Sequence, residues 1–138
     1  MLRALLRNDT AATLTEFALL APVFFVFLFG TIEGSRLLWM QQTLETVAYS
    51  TARCASVSAT CGAVQGAKQF AVARAAGYGV TITAADVTVQ NNVTCRGFPA
   101  SNRTSITIPM NSVMASLVPV FPESITAESC YPVLTPPA

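Results

Sequence analysis

The four cysteines are the residues of this sequence whose type and spacing point most directly to chemistry. Cys54, Cys61, Cys95 and Cys130 all follow a long apolar segment. An even number of cysteines on one side of such a segment is typical of a disulfide framework in an oxidising compartment. A metal site is the alternative, but the chain lacks the close C-x2-C pairs that zinc sites favour. We therefore expect disulfides, with no metal and no other cofactor.

The pairing of these cysteines depends on where the preceding helix ends. Four cysteines allow three connectivities. On one continuous helix, Cys54 and Cys61 would lie about 10 Å apart, whereas bridged Cα atoms are at most about 7 Å apart. A bridge between them therefore requires the helix to end near Cys54 and the chain to turn back. We favour the pairs 54–61 and 95–130, because each joins neighbours in the layout of helices and strands that the sequence predicts.

Other catalytic chemistry has little support in the sequence. The chain has no histidine, so the commonest general base and metal ligand is missing. Asp86, Glu123, Glu128 and Lys68 are isolated and belong to no nucleophile or phosphate-loop motif. We interpret them as solvated surface charges and expect no enzymatic activity. The net charge of +1, with scattered Lys and Arg, gives no argument for binding nucleic acid.

Glu16 is the one charge near the start of the apolar segment 13–32. A carboxylate in or near hydrocarbon is costly unless it is paired or protonated, and such residues usually mark function. An interfacial Glu where a helix enters the membrane is the simpler reading. From physical arguments alone, both readings stay open.

The apolar segment itself predicts a membrane anchor. Residues 11–32 supply the roughly 20 residues that a helix needs to cross about 30 Å of hydrocarbon. Arg3 and Arg7 precede it, which predicts a cytoplasmic N-terminus and an exported C-terminal body. A secretory signal peptide has a similar basic start. Against it, no A-x-A cleavage site follows, and the uncharged run equals or exceeds the usual apolar core of about 7–15 residues.

The helix is expected to continue beyond the membrane, over residues 13–53 in all. Apolar or small residues recur there at alternating spacings of three and four, at Leu37, Met40, Leu44, Val47 and Thr51. This pattern predicts an amphipathic stalk. Within the apolar part, Pro22 should kink or locally open the helix, and Gly30 and Gly34 form a small-xxx-small pair suited to close helix contact.

The remainder of the chain predicts a small α+β body. Residues 63–76 have helical composition and end at Gly77-Tyr78-Gly79. Alternating β-forming residues follow and predict an antiparallel sheet of three or four strands, at 80–83, 86–90 with 93–95, 104–108 and 124–131. We expect 96–103 to be a loop, 110–122 to be apolar with weak helical spacing, and 132–138 to be an extended tail.

Residues 11–55 contain several short motifs: Glu16-Phe17-Ala18-Leu19, Ala21-Pro22, the aromatic run to Phe29-Gly30, Ile32-Glu33 and Ala52-Arg53. With these motifs the segment resembles the N-terminal part of the TadE/TadG family, the pilin-like minor subunits of the tight-adherence (Flp-type) pilus system.

The resemblance implies a processing site and an assembly role. Flp-type prepilins have a short basic leader that a prepilin peptidase removes a few residues before the Glu-Phe pair. On this chain the cut would fall between Ala11 and Ala12, where the family usually has Gly at the position of Ala11. The new amine would then pair with Glu16, on the same or the next subunit, and set the register between helices. We expect Phe17, Pro22, Gly30 and Gly34 to take part in that helix pairing.

These expectations combine into one interpretation: a leader (1–11), a transmembrane helix and stalk (12–53), and a disulfide-bonded periplasmic head (54–138). The function implied is that of a pilin-like minor subunit in the bacterial inner membrane, which takes part in pilus biogenesis by helping to initiate or cap the pilus with its head. Its partners would be the membrane, other pilin-like subunits, pilus assembly proteins and a prepilin peptidase. The main alternative is an uncleaved single-pass scaffold of a pilus or secretion assembly platform. An anchored enzyme is a third, for which the sequence offers no convergent polar residues.

Overall fold

The computed structural model describes residues 9–110 and 122–133, with side chains from residue 13 onward. Its helices are α1 (Asp9–Val57), α2 (Ala59–Gly62) and α3 (Val64–Gly77), and its strands are β1 (Val87–Cys95), β2 (Phe98–Pro109) and β3 (Ser124–Pro132). A long apolar N-terminal helix, a shorter helix and a three-stranded antiparallel sheet confirm the α+β class. The chain divides into two units, Met1–Arg36 and Leu37–Ala138.

The first unit holds the apolar part of α1. The helix runs through Pro22, which has no N–H to donate, so the carbonyl of Ala18 lacks its usual partner. The hydroxyls of Thr31 and Ser35 donate to the carbonyl oxygens four residues earlier, each over 2.8 Å. These two polar side chains are therefore satisfied within the helix itself.

The second unit is built around the amphipathic part of α1. The predicted stripe faces its core: Leu44, Val47 and Thr51 are fully buried, and Leu37 and Met40 pack against the cluster. This is the outcome that a period of 3.6 residues dictates. The core is completed by small residues of α3 and β-branched residues of the sheet and the segment before it: Ala67, Ala71, Ala75, Val80, Ile82, Val87, Val89, Ile106, Ile108 and Ile125.

The sheet has the order β1-β2-β3 with both pairings antiparallel. The β1–β2 hairpin turns on two residues, Arg96 and Gly97, with φ values of 49° and 86°. Positive φ at both central residues is the requirement of the type I′ turn, whose twist matches that of the strands. The predicted loop over 96–103 is therefore wrong beyond Gly97: Phe98 already begins β2 and pairs with Cys95.

A second correction concerns residues 80–83, which form no strand. The alternation itself is present, since Val80 and Ile82 are buried and the two threonines are exposed. The backbone, however, is held by other bonds: Val80 N–H donates to the Ala75 carbonyl at the end of α3, and Thr83 is tied to Asp86. The segment is thus a half-buried connection between α3 and β1 that pairs with no described strand.

Several expectations are shifted or fall elsewhere. Helix α1 ends at Val57, slightly later than predicted, and α3 agrees with the predicted second helix within one residue. Residues 1–8 of the predicted leader (1–11), most of the apolar stretch 110–122 and residues 134–138 of the predicted tail (132–138) lie outside the described residues. The tail begins later than predicted, because Pro132 is still the last residue of β3.

Candidate functional site

The apolar part of α1 presents its side chains outward. This helix is long and apolar enough to cross a membrane. None of its most apolar stretch is buried against the rest of the chain. Phe17 is 69% exposed and Phe27 is 76% exposed. In water such a surface would be strongly unfavourable, at about 25 cal/mol per Å² of apolar area. It is favourable in lipid or against another apolar helix.

Glu16 lies on the same face of α1 as the predicted glycine pair. Glu16 and Gly34 are separated by about five turns of helix, and Gly30 is one turn before Gly34, so all three share one side. Phe27 lies on that side too, whereas Phe17 and Pro22 point elsewhere around the helix. We call the side that carries Glu16, Leu20, Val23, Phe27, Gly30 and Gly34 the assembly face.

Two properties of the assembly face suit contact with another helix. A Cβ added at Gly30 or Gly34 would meet no atom within 4 Å, so the surface there is open to a close neighbour. At the other end, Glu16 is exposed, and no side chain described in the structure forms an ion pair with it. A carboxylate in this position is stabilised when another molecule or chain end supplies a positive charge.

The predicted processing site lies at the start of α1. The described part of α1 begins at Asp9, so the Ala11–Ala12 peptide bond lies within its first four residues and has helical backbone.

The first disulfide joins Cys54 in α1 to Cys61 in α2, with their Cα atoms 5.5 Å apart. Ser58 makes this possible, since its extended backbone (φ −123°, ψ 130°) interrupts the helix between them. Ser58 N–H still donates to the Cys54 carbonyl, and its own carbonyl accepts from Cys61 N–H. The required turn therefore comes at Ser58, four residues after Cys54.

The second disulfide joins Cys95 at the end of β1 to Cys130 in β3, with Cα atoms 6.2 Å apart. These strands lie on opposite sides of β2, and the residues of β2 opposite the two cysteines are Phe98 and Arg103. In a regular sheet the cysteines would therefore be two strand spacings apart and also offset by about 16 Å along the strands. Register shifts between Gln90 and Val93 and between Val93 and Cys95 interrupt the regular ladder. Such bulges bend a strand, which accounts for the shorter distance.

The same two cysteines form the one group of potential metal ligands among the described residues. Ligand atoms of Cys95, Cys130 and Glu128 lie within 4.8 Å of one another. Because both sulfurs are joined to each other, neither is a thiolate that could bind zinc. The Glu128 carboxylate is then the one ligand left in this group, and its Oε2 forms an ion pair with Arg103 Nε over 3.7 Å.

A polar contact that the sequence pattern missed joins the end of α1 to the sheet. Asn102, which is 4% exposed, donates from Nδ2 to Ser56 Oγ over 3.0 Å and accepts the Asn92 N–H at Oδ1 over 3.0 Å. Ser56 Oγ also lies 3.2 Å from the Tyr131 carbonyl oxygen. One buried amide therefore links α1, β1 and β2, and the serine extends the link to β3.

Two further positions shape the edges of the head. At Gly66 in α3, an added Cβ would overlap the carbonyl oxygen of Thr60, so α3 can approach α2 only with glycine there. Before β1, Asp86 accepts hydrogen bonds from the backbone N–H and the hydroxyl of Thr83, both over 2.7 Å. These bonds, the backbone one first, hold the pKa of Asp86 below its ordinary value.

The comparison with known proteins bears on the N-terminal part of the chain. Residues 11–53 match the family model described as TadE-like protein. No curated protein and no solved structure matches the chain. The match covers most of α1, including the assembly face, and stops one residue before the first cysteine. An apolar helix able to span a membrane and this family match together fit a membrane protein related to the tight-adherence pilus, and residues 11–53 are the part of the chain that is similar to TadE-like proteins.

Proposed function

We propose that the chain is a pilin-like minor subunit that takes part in the biogenesis of a tight-adherence pilus. It would sit in the bacterial inner membrane with its N-terminus in the cytoplasm and its disulfide-bonded head in the periplasm. The observation that carries the proposal is the coincidence of the TadE-like match with an apolar helix whose surface is unburied. The role is non-enzymatic: it consists of contacts that helix and head make with other pilin-like subunits and assembly proteins.

The assembly face supplies the mechanism. After removal of the leader, the amine of Ala12 would lie one turn from Glu16 on the same helix, because residues four apart are neighbours. The resulting pair, within one chain or between subunits, offsets the desolvation of both charges. The open surface at Gly30 and Gly34 would let a second helix approach closely at the other end of the face. A charge pair at one end and close packing at the other would together fix the register of the two helices.

The test is genetic and direct. Deleting the gene in its native host should abolish or strongly reduce sheared surface pili, and the intact gene supplied in trans should restore them. If the deletion strain assembles pili in normal amount and length, the proposal is wrong. A strain that expresses the chain with residues 13–36 replaced by an unrelated apolar helix, so that the core residues of α1 from Leu37 onward are kept, separates the role of the apolar part from mere anchoring.

An uncleaved scaffold of the assembly platform is the second candidate. One observation favours it: Ala11 stands where Flp-type prepilins usually have Gly. Intact-mass measurement on the protein purified from its host distinguishes the two. Loss of residues 1–11 supports the cleaved subunit, and retention of Met1 supports the scaffold.

A further inference from the structure

A cleft in the second unit has no part in the function proposed above. It has a volume of about 450 Å³ and runs between α1 and α3. One wall is the outward side of α1 and includes Tyr49, Arg53 and Val57. The other is formed by Phe70 and Arg74 of α3. The cleft therefore lies on the head, beyond the apolar part of α1.

Among the described residues, the cleft carries two positive charges and no negative charge to balance them. Arg53 and Arg74 are both exposed, and no acidic residue in the described part of the chain lines the cleft. Among the described residues, the one ion pair is Arg103–Glu128, in the sheet. Arg74 is instead positioned by an aromatic ring, with its guanidinium 5.6 Å from the centre of Tyr78. Both guanidinium groups remain available to an anionic partner.

The walls of the cleft are apolar and partly fixed in place. Tyr49 is 51% exposed, and the edge of its ring meets the ring of Tyr131 in β3 at a centroid distance of 6.0 Å, which holds Tyr49 against the sheet. Val57 is 59% exposed, and Phe70 packs partly against the core. Exposed aromatic side chains beside arginine are the composition that contributes most to binding energy at protein interfaces.

We propose that this cleft binds a segment of a partner protein that presents carboxylates beside large apolar side chains. The carboxylates would bind Arg53 and Arg74, whose planar guanidinium groups match them with paired hydrogen bonds. The apolar side chains would cover Tyr49 and Phe70. The proposal concerns the second unit alone (Leu37–Ala138), so it holds whether or not the leader is removed and whether or not the chain enters a pilus.

The experiment measures peptide binding to the full-length protein in detergent micelles. The probes are a pool of labelled peptides that combine Leu, Phe and Tyr with Glu or Asp, and a matched pool with Lys in place of the acids. We expect the acidic pool to yield binders. Arg53→Gln and Arg74→Gln should each weaken the best of them about tenfold, which corresponds to about 1.4 kcal/mol. Arg103→Gln removes the same charge from the sheet and should leave binding unchanged.

Several outcomes would overturn the proposal. Equal binding of the Lys pool, an equal loss in Arg103→Gln, or no binder in the acidic pool would each show that the cleft does not recognise acidic segments. If Arg53→Gln instead dissociates oligomers of the chain, the occupant is a second copy. If it abolishes binding to vesicles that contain phosphatidylglycerol while no peptide binds, the occupant is lipid. Unchanged thermal unfolding of each variant shows that the head is intact.

Discussion

Replacing Asn102 by Ala should destabilise the head by about 2–3 kcal/mol. The buried amide makes two hydrogen bonds, to Ser56 Oγ and from Asn92 N–H. Each contributes about 1 kcal/mol net, and the groups left without partners add a desolvation cost. A domain of this size has a total stability of about 5–15 kcal/mol. The loss is therefore a large fraction of the whole, and the midpoint of thermal unfolding should fall by roughly 10–20 °C.

The assay follows near-ultraviolet circular dichroism of the full-length protein in detergent micelles during denaturant unfolding. The Tyr49–Tyr131 ring pair, 6.0 Å apart, reports directly on the packing of α1 against β3. Gln90→Ala is the matched control, because Gln90 is exposed in β1 and forms no side-chain hydrogen bond with the described residues. Asn102→Asp keeps the acceptor for Asn92 but buries a charge, and should destabilise at least as much at neutral pH. A change in Asn102→Ala within about 0.5 kcal/mol of the control would refute the reasoning.

Three further predictions concern the head. Gly66→Ala should destabilise the head by about 1–3 kcal/mol, because the new methyl group overlaps the Thr60 carbonyl. The same denaturant unfolding measures this loss. Gly77→Ala is the control: its added Cβ meets no neighbouring atom, so it should be neutral or stabilising. Removing the 95–130 disulfide with the double variant Cys95→Ser/Cys130→Ser should cost roughly 4 kcal/mol of stability. Removing the 54–61 disulfide in the same way should cost roughly 2 kcal/mol, because that disulfide closes a shorter loop. Equal losses would contradict this order. The lowered pKa of Asp86 means that its carboxylate stabilises the fold above its ordinary pKa of about 3.9 and that this contribution is lost as pH falls through the lower folded value. Asp86→Asn should accordingly be less stable than the wild type at pH 7, with a smaller difference near pH 3; a difference that stays constant with pH would show that the charge plays no part.

The helical parts of the fold are predictable from the sequence because each carries its own periodic signal. The spacing from Leu37 to Thr51 gives the buried side of α1 without any knowledge of its partner. The alanines of α3 likewise recur at every fourth residue on the side that packs. The predicted layout of helices and strands also favours the cysteine pairs that the structure contains, because each pair joins predicted neighbours. The 54–61 pair further requires the helix to end between the two cysteines, since they would otherwise lie too far apart along it.

The β portion is less predictable because strand identity depends on distant partners. Val80 and Ile82 alternate as a strand would, yet no described strand lies beside them to accept their hydrogen bonds. Conversely, Phe98 to Asn102 has the composition of a loop but pairs with β1, because the Arg-Gly turn adopts positive φ at both positions. Asn102 and Gly66 gave no local signal at all. The role of Asn102 depends on Ser56 Oγ, which is far away in sequence, and the role of Gly66 depends on the Thr60 carbonyl, which lies across a turn.

The charge at Glu16 gives the most direct test of the account. Glu16→Ala makes the helix more apolar, so the protein should remain in the membrane fraction at wild-type level while sheared pili are lost or strongly reduced. Thr31→Ala, which removes another polar side chain from the apolar part of α1, is the matched control and should leave piliation intact, because its hydroxyl bonds only within the helix. Pili in normal amount from the Glu16→Ala strain, with the protein correctly inserted, would contradict the claim that α1 assembles through a paired carboxylate.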